Sequence, residues 1–195
     1  MAGSLGEHTF ARHLAAVRGE PRDDAEQVTQ VLAGEPVTVE EEQDGWARVR
    51  TSYDYPGWIR AEDLGGREDA KWLQTSANDP VEWARELVGK TPYEWGGMTP
   101  AGIDCSGLVH MGFRATGRLV PRDADQQEDA GTPVDDPQPG DLITYGDPGK
   151  PADHVAFWIA EGRILHSTRR DGANGVIEET EPDELRARRR GVFRL

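Results

Sequence analysis

One cysteine, three lysines and no long apolar run occur in 195 residues, and each scarcity narrows what the chain can be. A single thiol cannot form an internal disulfide, so nothing in the sequence asks for an oxidising compartment. No stretch approaches the roughly 20 apolar residues of a membrane-spanning helix. The first thirty residues also lack an apolar core of signal-peptide length. The expectation is a cytoplasmic protein without a membrane partner. Positive charge is scarce too: 22 basic against 36 acidic residues give a net charge of −14, which argues against nucleic acid or anionic lipid as a ligand. Apart from Lys71, Lys90 and Lys150, arginine carries the cationic charge.

A chain of this length can bury one good core, or a small domain and a medium one. Two stretches differ in texture. From Thr9 to about residue 65 the text alternates and turns like short strands: Val37 and Val39 alternate with polar neighbours, Asp44-Gly45 signals a hairpin, and Pro56-Gly57 turns the chain into Trp58-Ile59. Close spacing of short strands suggests a small β-barrel over 9–65. Residues 1–8 read as a loose terminus and 66–78 as a charged linker. A second domain then spans 79–195. Asp79-Pro80 opens a helix, with aspartate as N-cap and proline at the first position, and Gly89 ends it. A second helix runs from about Cys105 to Ala115. A loop rich in Asp, Gln and Pro covers 121–139. Strands follow at Leu142–Tyr145, Val155–Ile159, Ile164–Ser167 and Val192–Leu195, giving an α+β order. The Arg186–Arg190 run reads as a solvated helix face.

The chemistry concentrates at Asp104-Cys105-Ser106-Gly107, downstream of Tyr93-Glu94-Trp95-Gly96-Gly97. A thiol at a helix N-terminus meets unpaired N–H groups and the positive end of the dipole, which favour thiolate. Two histidines follow in strand-like settings, His154 and His166. A lone cysteine with distant histidines is the pattern of a nucleophilic hydrolase. Strand alternation makes the pairing testable, since the turn between the histidines decides whether they share a face. A two-residue turn at Glu161-Gly162 pairs Ala160 with Arg163 and separates them. A three-residue loop, Ala160-Glu161-Gly162, pairs Ile159 with Arg163 and sets His166 opposite Ala156, diagonal to His154. Catalysis is expected to need the odd-length loop. His8, His13 and His110 read as surface or structural residues. Zinc is disfavoured because one cysteine lacks metal-ligand spacing, so no metal or other cofactor is expected.

With these motifs in order, the sequence resembles the NlpC/P60 cysteine peptidases over roughly 80–195. The matching elements are Tyr93-x-Trp95-Gly96-Gly97, Asp104-Cys105-Ser106-Gly107, Pro139-Gly140-Asp141 and both histidines. The N-terminal part is similar to the bacterial SH3-like domain of one subgroup, the γ-D-glutamyl-L-diamino acid endopeptidases. The resemblance implies a papain-like arrangement of helices on an antiparallel sheet, with Cys105 as nucleophile, His154 as base and His166 as its orienter. It implies a small murein peptide such as L-Ala-γ-D-Glu-diamino acid as substrate, and no obligate protein partner is evident. Asp104 matches the residue that helps hold the substrate's amine, although a helix N-cap role is equally open to it. Ser106 and Trp95 match substrate contacts. Gly96 and Gly97 would let the backbone pass close to the ligand. Tyr55, in Tyr55-Pro56-Gly57-Trp58, matches a tyrosine that reaches the peptide, with Tyr53 as its competitor. Glu35 matches that tyrosine's paired glutamate, against the alternative of a solvent-facing carboxylate. Two other readings stay open: a thiol amidase or acyltransferase with another acyl donor, and a non-catalytic protein that binds wall fragments.

Overall fold

The computed structural model describes residues 8–73 and 75–195. The chain divides into two compact units, Met1–Gln74 and Thr75–Leu195. Apart from His8, the terminus expected to be loose lies outside the described residues, as does Gln74 of the expected linker. Among the described residues no helix is long and apolar enough to cross a membrane.

The first unit is an antiparallel sheet of β1 (His8–Phe10), β2 (Ala15–Arg18), β3 (Gln27–Val31), β4 (Pro36–Gln43), β5 (Trp46–Thr51) and β6 (Pro56–Arg60). Alternation places Val17, Val31, Val37, Val39, Val49 and Ile59 in one buried cluster. Asp44 and Gly45 both take positive φ between paired Gln43 and Trp46, so the expected tight hairpin is present. Two expectations are corrected. The strand order β1-β4-β5-β6-β2-β3 ends in two edges and does not close into a barrel. Pro56-Gly57 lies inside β6 rather than at a turn. The turn falls just before it, where Asp54 adopts φ 62°. Gly57 is needed in the strand because a Cβ there would strike the Val17 side chain. Residues 66–73 hold a short 3₁₀ turn, and Asp69 N–H donates to the Gly34 carbonyl.

In the second unit, α1 (Pro80–Arg85) starts as the sequence predicts: one Asp79 carboxylate oxygen accepts from Val81 and Glu82 N–H at 2.8 and 3.0 Å. A two-strand ribbon, β7 (Met98–Thr99) and β8 (Gly102–Ile103), leads into α2 (Cys105–Ala115). All but one residue of α2 is buried, which suits a central helix. Then come α3 (Ala124–Ala130), β9 (Thr132–Pro133), β10 (Leu142–Tyr145), β11 (His154–Ala160), β12 (Arg163–Arg170), β13 (Ala173–Thr180), α4 (Asp183–Arg186) and β14 (Arg189–Arg194). The antiparallel sheet runs β13-β12-β11-β10-β14-β9. Leu108, Val109 and Phe113 of α2 bury against Val155, Phe157 and Leu165, and the Phe113 and Phe157 rings lie 6.2 Å apart.

Three expectations for this unit change. The 121–139 loop contains α3, whose N-terminus is closed by an Asp123/Gln126 capping box. A strand, β13, follows β12, and the last strand starts at Arg189, earlier than expected. The Arg186–Arg190 run is a set of ion-pairing struts instead of a helix face. Arg186 and Arg189 converge on the buried Glu181, Arg188 reaches Asp153 at 2.5 Å, and Arg190 reaches Glu128 at 2.8 Å.

Candidate active site

The site is assembled where the 93–104 segment meets the start of α2. Ile103 closes both sides of that segment, its N–H donating to Pro92 and its carbonyl accepting from Glu94 N–H. The same carbonyl accepts the Ser167 hydroxyl at 2.7 Å, which ties the segment to β12 beside His166. Gly96 holds φ 70°, and this left-handed turn aims its N–H at Asp104 Oδ2, 2.7 Å away. A Cβ on Gly97 would collide with the Gly102 carbonyl, and one on Gly107 with the Gly97 carbonyl. Gly97 and Gly107 therefore let segments of the chain pass close to one another.

Asp104 is the N-cap of α2 and the centre of a buried network. Oδ1 accepts from Gly107 N–H at 2.6 Å, Arg122 Nη1 at 2.9 Å and, weakly, Ser106 Oγ at 3.4 Å. Oδ2 accepts from Gly96 N–H and Arg122 Nη2, both at 2.7 Å. A carboxylate offers about four lone-pair directions, and the chain itself fills them. The capping role is thus realised, and a substrate ammonium would have to displace one of these donors. Ser106 is drawn into the same network: its hydroxyl accepts Arg122 Nη1 at 2.8 Å, and its carbonyl accepts Gln127 Nε2 at 3.0 Å. Gln127, on α3, also donates to the Pro121 carbonyl at 2.9 Å. Neither Arg122 nor Gln127 carries a local sequence signal, because each acts through a side chain from a polar stretch.

Cys105 occupies the first position of α2 and is 7% exposed. Burial pushes its thiol up to about 12 and the Asp104 charge adds to this, while the Val155 and Ser106 backbone N–H groups pull the other way. The helix start favours thiolate as expected, but burial and Asp104 outweigh it, so the resting sulfur is a neutral thiol. The Val155 contact also sets the sulfur against the His154–Val155 peptide. Burial, His166 and Arg188 push the His154 imidazole down to about 3, so it rests as a neutral base. Tyr93 belongs to the same locality. Burial raises its phenol, with the Cys105 and Asp104 charges adding to the rise, and the Arg169 guanidinium lies 5.4 Å from its ring centre.

His154 and His166 are in direct contact, His154 Nε2 lying 2.8 Å from His166 Nδ1 with the rings edge-on at 79°. The turn between them differs from the expected one. Ala160 pairs with Arg163 across a two-residue turn, with Gly162 at φ 66°. The register then shifts between Trp158 and Ala160, so Phe157 pairs with Leu165. The bulge supplies the odd residue that the loop lacks, and the histidines share a face. His166 is wholly buried and its Nε2 lies 2.9 Å from Glu179 Oε1 on β13. The Tyr145 ring flanks His154 at 5.7 Å, and its hydroxyl donates to Glu181 at 3.0 Å.

The remaining expected residues are placed as follows. Trp95 is exposed, at 55%. Glu35 and Tyr55 belong to the first unit. Glu35 is fully buried and accepts the Leu32 N–H at 3.0 Å, so it is not the solvent-facing carboxylate of the alternative reading. Tyr53 pairs with Thr29 Oγ1 at 3.0 Å and donates to the Gln30 carbonyl at 3.3 Å, and its ring lies 6.4 Å from that of Tyr55. His110 is buried, with Nδ1 2.8 Å from the Val120 carbonyl, and His13 pairs with Asp63, in line with structural roles.

Comparison with known proteins agrees with these features. The NlpC/P60 family profile matches residues 89–184, and that of the bacterial dipeptidyl-peptidase Sh3 domain matches residues 17–64. The chain is 37% identical over 110 residues to the gamma-D-glutamyl-L-lysine dipeptidyl-peptidase of Bacillus subtilis, covering 54% of this chain and 37% of that protein. It is 28% identical over 173 residues to dipeptidyl-peptidase 6 of Lysinibacillus sphaericus, covering 83% of this chain and 60% of that one. The chain thus spans 37% and 60% of the length of these relatives, less than two thirds of each. The crystal structure of the NlpC/p60 domain of the peptidoglycan hydrolase SagA superposes with a TM-score of 0.50 at 30% identity, covering 60% of this chain and 97% of that one. An NlpC/P60 protein of Bacillus cereus shares the fold over 97% of this chain and 63% of its own, with a TM-score of 0.56 at 24% identity.

Proposed function

This chain belongs to the NlpC/P60 family, and we propose that it is a cysteine peptidase that hydrolyses the γ-D-glutamyl bond of short cell-wall peptides with a free N-terminal L-alanine. One observation carries the reading: the lone thiol at the start of α2 lies against the His154–Val155 peptide, and His154 is hydrogen-bonded to His166. In the proposed cycle Cys105 Sγ attacks the γ-carbonyl carbon of D-glutamate while its proton passes to His154. A neutral thiol and a neutral imidazole suit transfer concerted with attack. The backbone N–H of Cys105, at a helix position without an intrahelical acceptor, would help hold the oxyanion. His154 then protonates the leaving amine, which departs as the diamino acid. Water, deprotonated by His154, cleaves the thioester and frees L-Ala-D-Glu.

Within this proposal Asp104 and Ser106 act by fixing the helix start through Arg122. Trp95 offers an apolar wall. By the family resemblance, Asp104 would also help hold the peptide's amine, Tyr55 would reach the peptide and Glu35 would be that tyrosine's paired glutamate. The relatives' names support the substrate class, and short free peptides point to peptide recycling in the cytoplasm. The test is incubation with L-Ala-γ-D-Glu-L-Lys and with its diaminopimelate counterpart, with products read by mass. Release of L-Ala-D-Glu and the free diamino acid is expected. Recovery of both tripeptides intact would reject the proposal.

A further inference from the structure

The histidine pair does not end at His166. Glu179 sits opposite Ile164 in the β12–β13 ladder, so alternation brings it to the face that His166 shares. Its Oε1 lies 2.9 Å from His166 Nε2. On the other side Arg170 Nη2 donates to both carboxylate oxygens, at 2.5 and 2.6 Å. The hydrogen bond from His166, with Arg170 reinforcing it, holds the Glu179 carboxyl down at about 2 against partial burial.

Donors and acceptors along this chain can be assigned one by one. An ionised carboxylate only accepts, so His166 Nε2 carries the hydrogen. With a single hydrogen on the ring, His166 has a bare Nδ1, which also only accepts. His154 Nε2 must therefore be the donor in the 2.8 Å contact. That leaves His154 Nδ1 bare, as the ring atom able to take a proton. The opposite polarity would need a protonated Glu179, which Arg170 opposes, or a hydrogen on both nitrogens of His166.

We propose that Glu179, clamped by Arg170, is a positioning residue that fixes the tautomers of both histidines and so makes His154 Nδ1 the base. The inference rests on the peptidase reading for its catalytic meaning, but the tautomers themselves are independent of any substrate. When His154 takes the thiol proton, the Glu179 charge two rings away stabilises the imidazolium. Arg170 keeps Glu179 from accepting that proton. The cation and the carboxylate are thus needed as a pair.

The test is ¹⁵N NMR of the full-length protein labelled at histidine, assigned with His154→Asn and His166→Asn. At neutral pH both His154 and His166 should be in the Nε2–H form. An Nδ1–H form of either ring in the wild type overturns the proposal, whether or not any peptide is cleaved. Glu179→Gln keeps the shape but not the charge. Arg170 should claim its carbonyl oxygen, turning the amide N–H towards His166 Nε2 and reversing both tautomers. The expected result is an Nδ1–H signal for His166 and a fall in kcat of at least about tenfold, with KM changed less than about threefold. Glu179→Asp should restore the Nε2–H form and part of kcat. Loss of kcat in Glu179→Gln with both tautomers unchanged would show a merely structural role and overturn the proposal. So would a kcat within about twofold of wild type. Should that variant fail to fold, the wild-type spectrum decides alone. A wild type that cleaves no peptide would count against the peptidase reading, and the tautomers would still decide this one.

Discussion

Replacing Arg122 by methionine tests how the start of α2 is held. Arg122 is 1% exposed and gives Asp104 two short charge-assisted hydrogen bonds, at 2.9 and 2.7 Å, and Ser106 a third at 2.8 Å. In Arg122→Met the Asp104 carboxylate stays buried with the Gly96 and Gly107 N–H groups but without its counter-charge. Breaking a buried pair from one side costs about 3–5 kcal/mol, most of it from the stranded charge. A unit spanning Thr75–Leu195 loses on the order of 3–5 °C per kcal/mol. The second unit should therefore melt roughly 10–20 °C lower, read by differential scanning calorimetry. Urea unfolding should show a lower midpoint at unchanged slope. In the double variant Asp104→Asn/Arg122→Met the stranded charge is gone. The double-mutant cycle should therefore return a coupling of at least about 2 kcal/mol. A loss under about 1 kcal/mol in Arg122→Met, or additive single effects, would refute the view that this pair holds the glycine segment to the helix.

The neutral histidines predict acid weakness. His154 and His110 are both pushed down to about 3, chiefly by burial, so the unfolded chain binds protons below about pH 6.5 that the native state refuses until about pH 3. Stability should therefore fall between pH 6.5 and 5, before most carboxylates titrate, and His110→Gln should flatten the slope; urea midpoints that stay level over this range would contradict it. At the alkaline end the thiol raised to about 12 means that the unfolded chain loses its proton first. Stability should drop from about pH 9 upward in the wild type, and less so in Cys105→Ala. Cys105 alkylation by iodoacetamide should likewise be slow at pH 7 and still rising at pH 10, where a plateau below pH 7 would show a resting thiolate instead. If a free amine is read, the free tripeptide should be cleaved at least about a hundredfold faster than its N-acetyl form. Tyr55→Phe should slow that cleavage and Tyr53→Phe leave it nearly unchanged; equal rates on the two peptides would reject amine recognition.

What the sequence shows best is what local chemistry decides. The Asp79-Pro80 cap, the Asp44-Gly45 turn and the limits of α2 follow from a few adjacent residues. Elements without apolar periodicity were hidden. α3 reads Ala-Asp-Gln-Gln-Glu-Asp-Ala and is anchored by the buried Ala124 and the amide of Gln127, not by an apolar stripe. β13 reads Ala-Asn-Gly-Val-Ile-Glu-Glu-Thr, with a glycine and two glutamates, a poor strand signal for a sheet edge. The hairpin shows the limit of counting: a shared face for His154 and His166 is expected to need an odd-length loop, but a bulge at Ile159, invisible to turn chemistry, provides the register behind a two-residue turn. Glu179, Arg170 and Arg122 reach the site through strand register and long side chains, so no motif marks them.

The most direct measurement of the central claim is intact-protein mass spectrometry of the reaction quenched in acid during turnover. With L-Ala-γ-D-Glu-L-Lys the wild type should show an adduct of L-Ala-D-Glu less one water, carried as a thioester on Cys105 and removed by hydroxylamine. Free lysine should appear in the same sample. Cys105→Ala, folded to the same melting temperature within a few degrees, should show neither. Lysine release by Cys105→Ala at the wild-type rate, or an adduct that maps to any residue other than Cys105, would contradict the account.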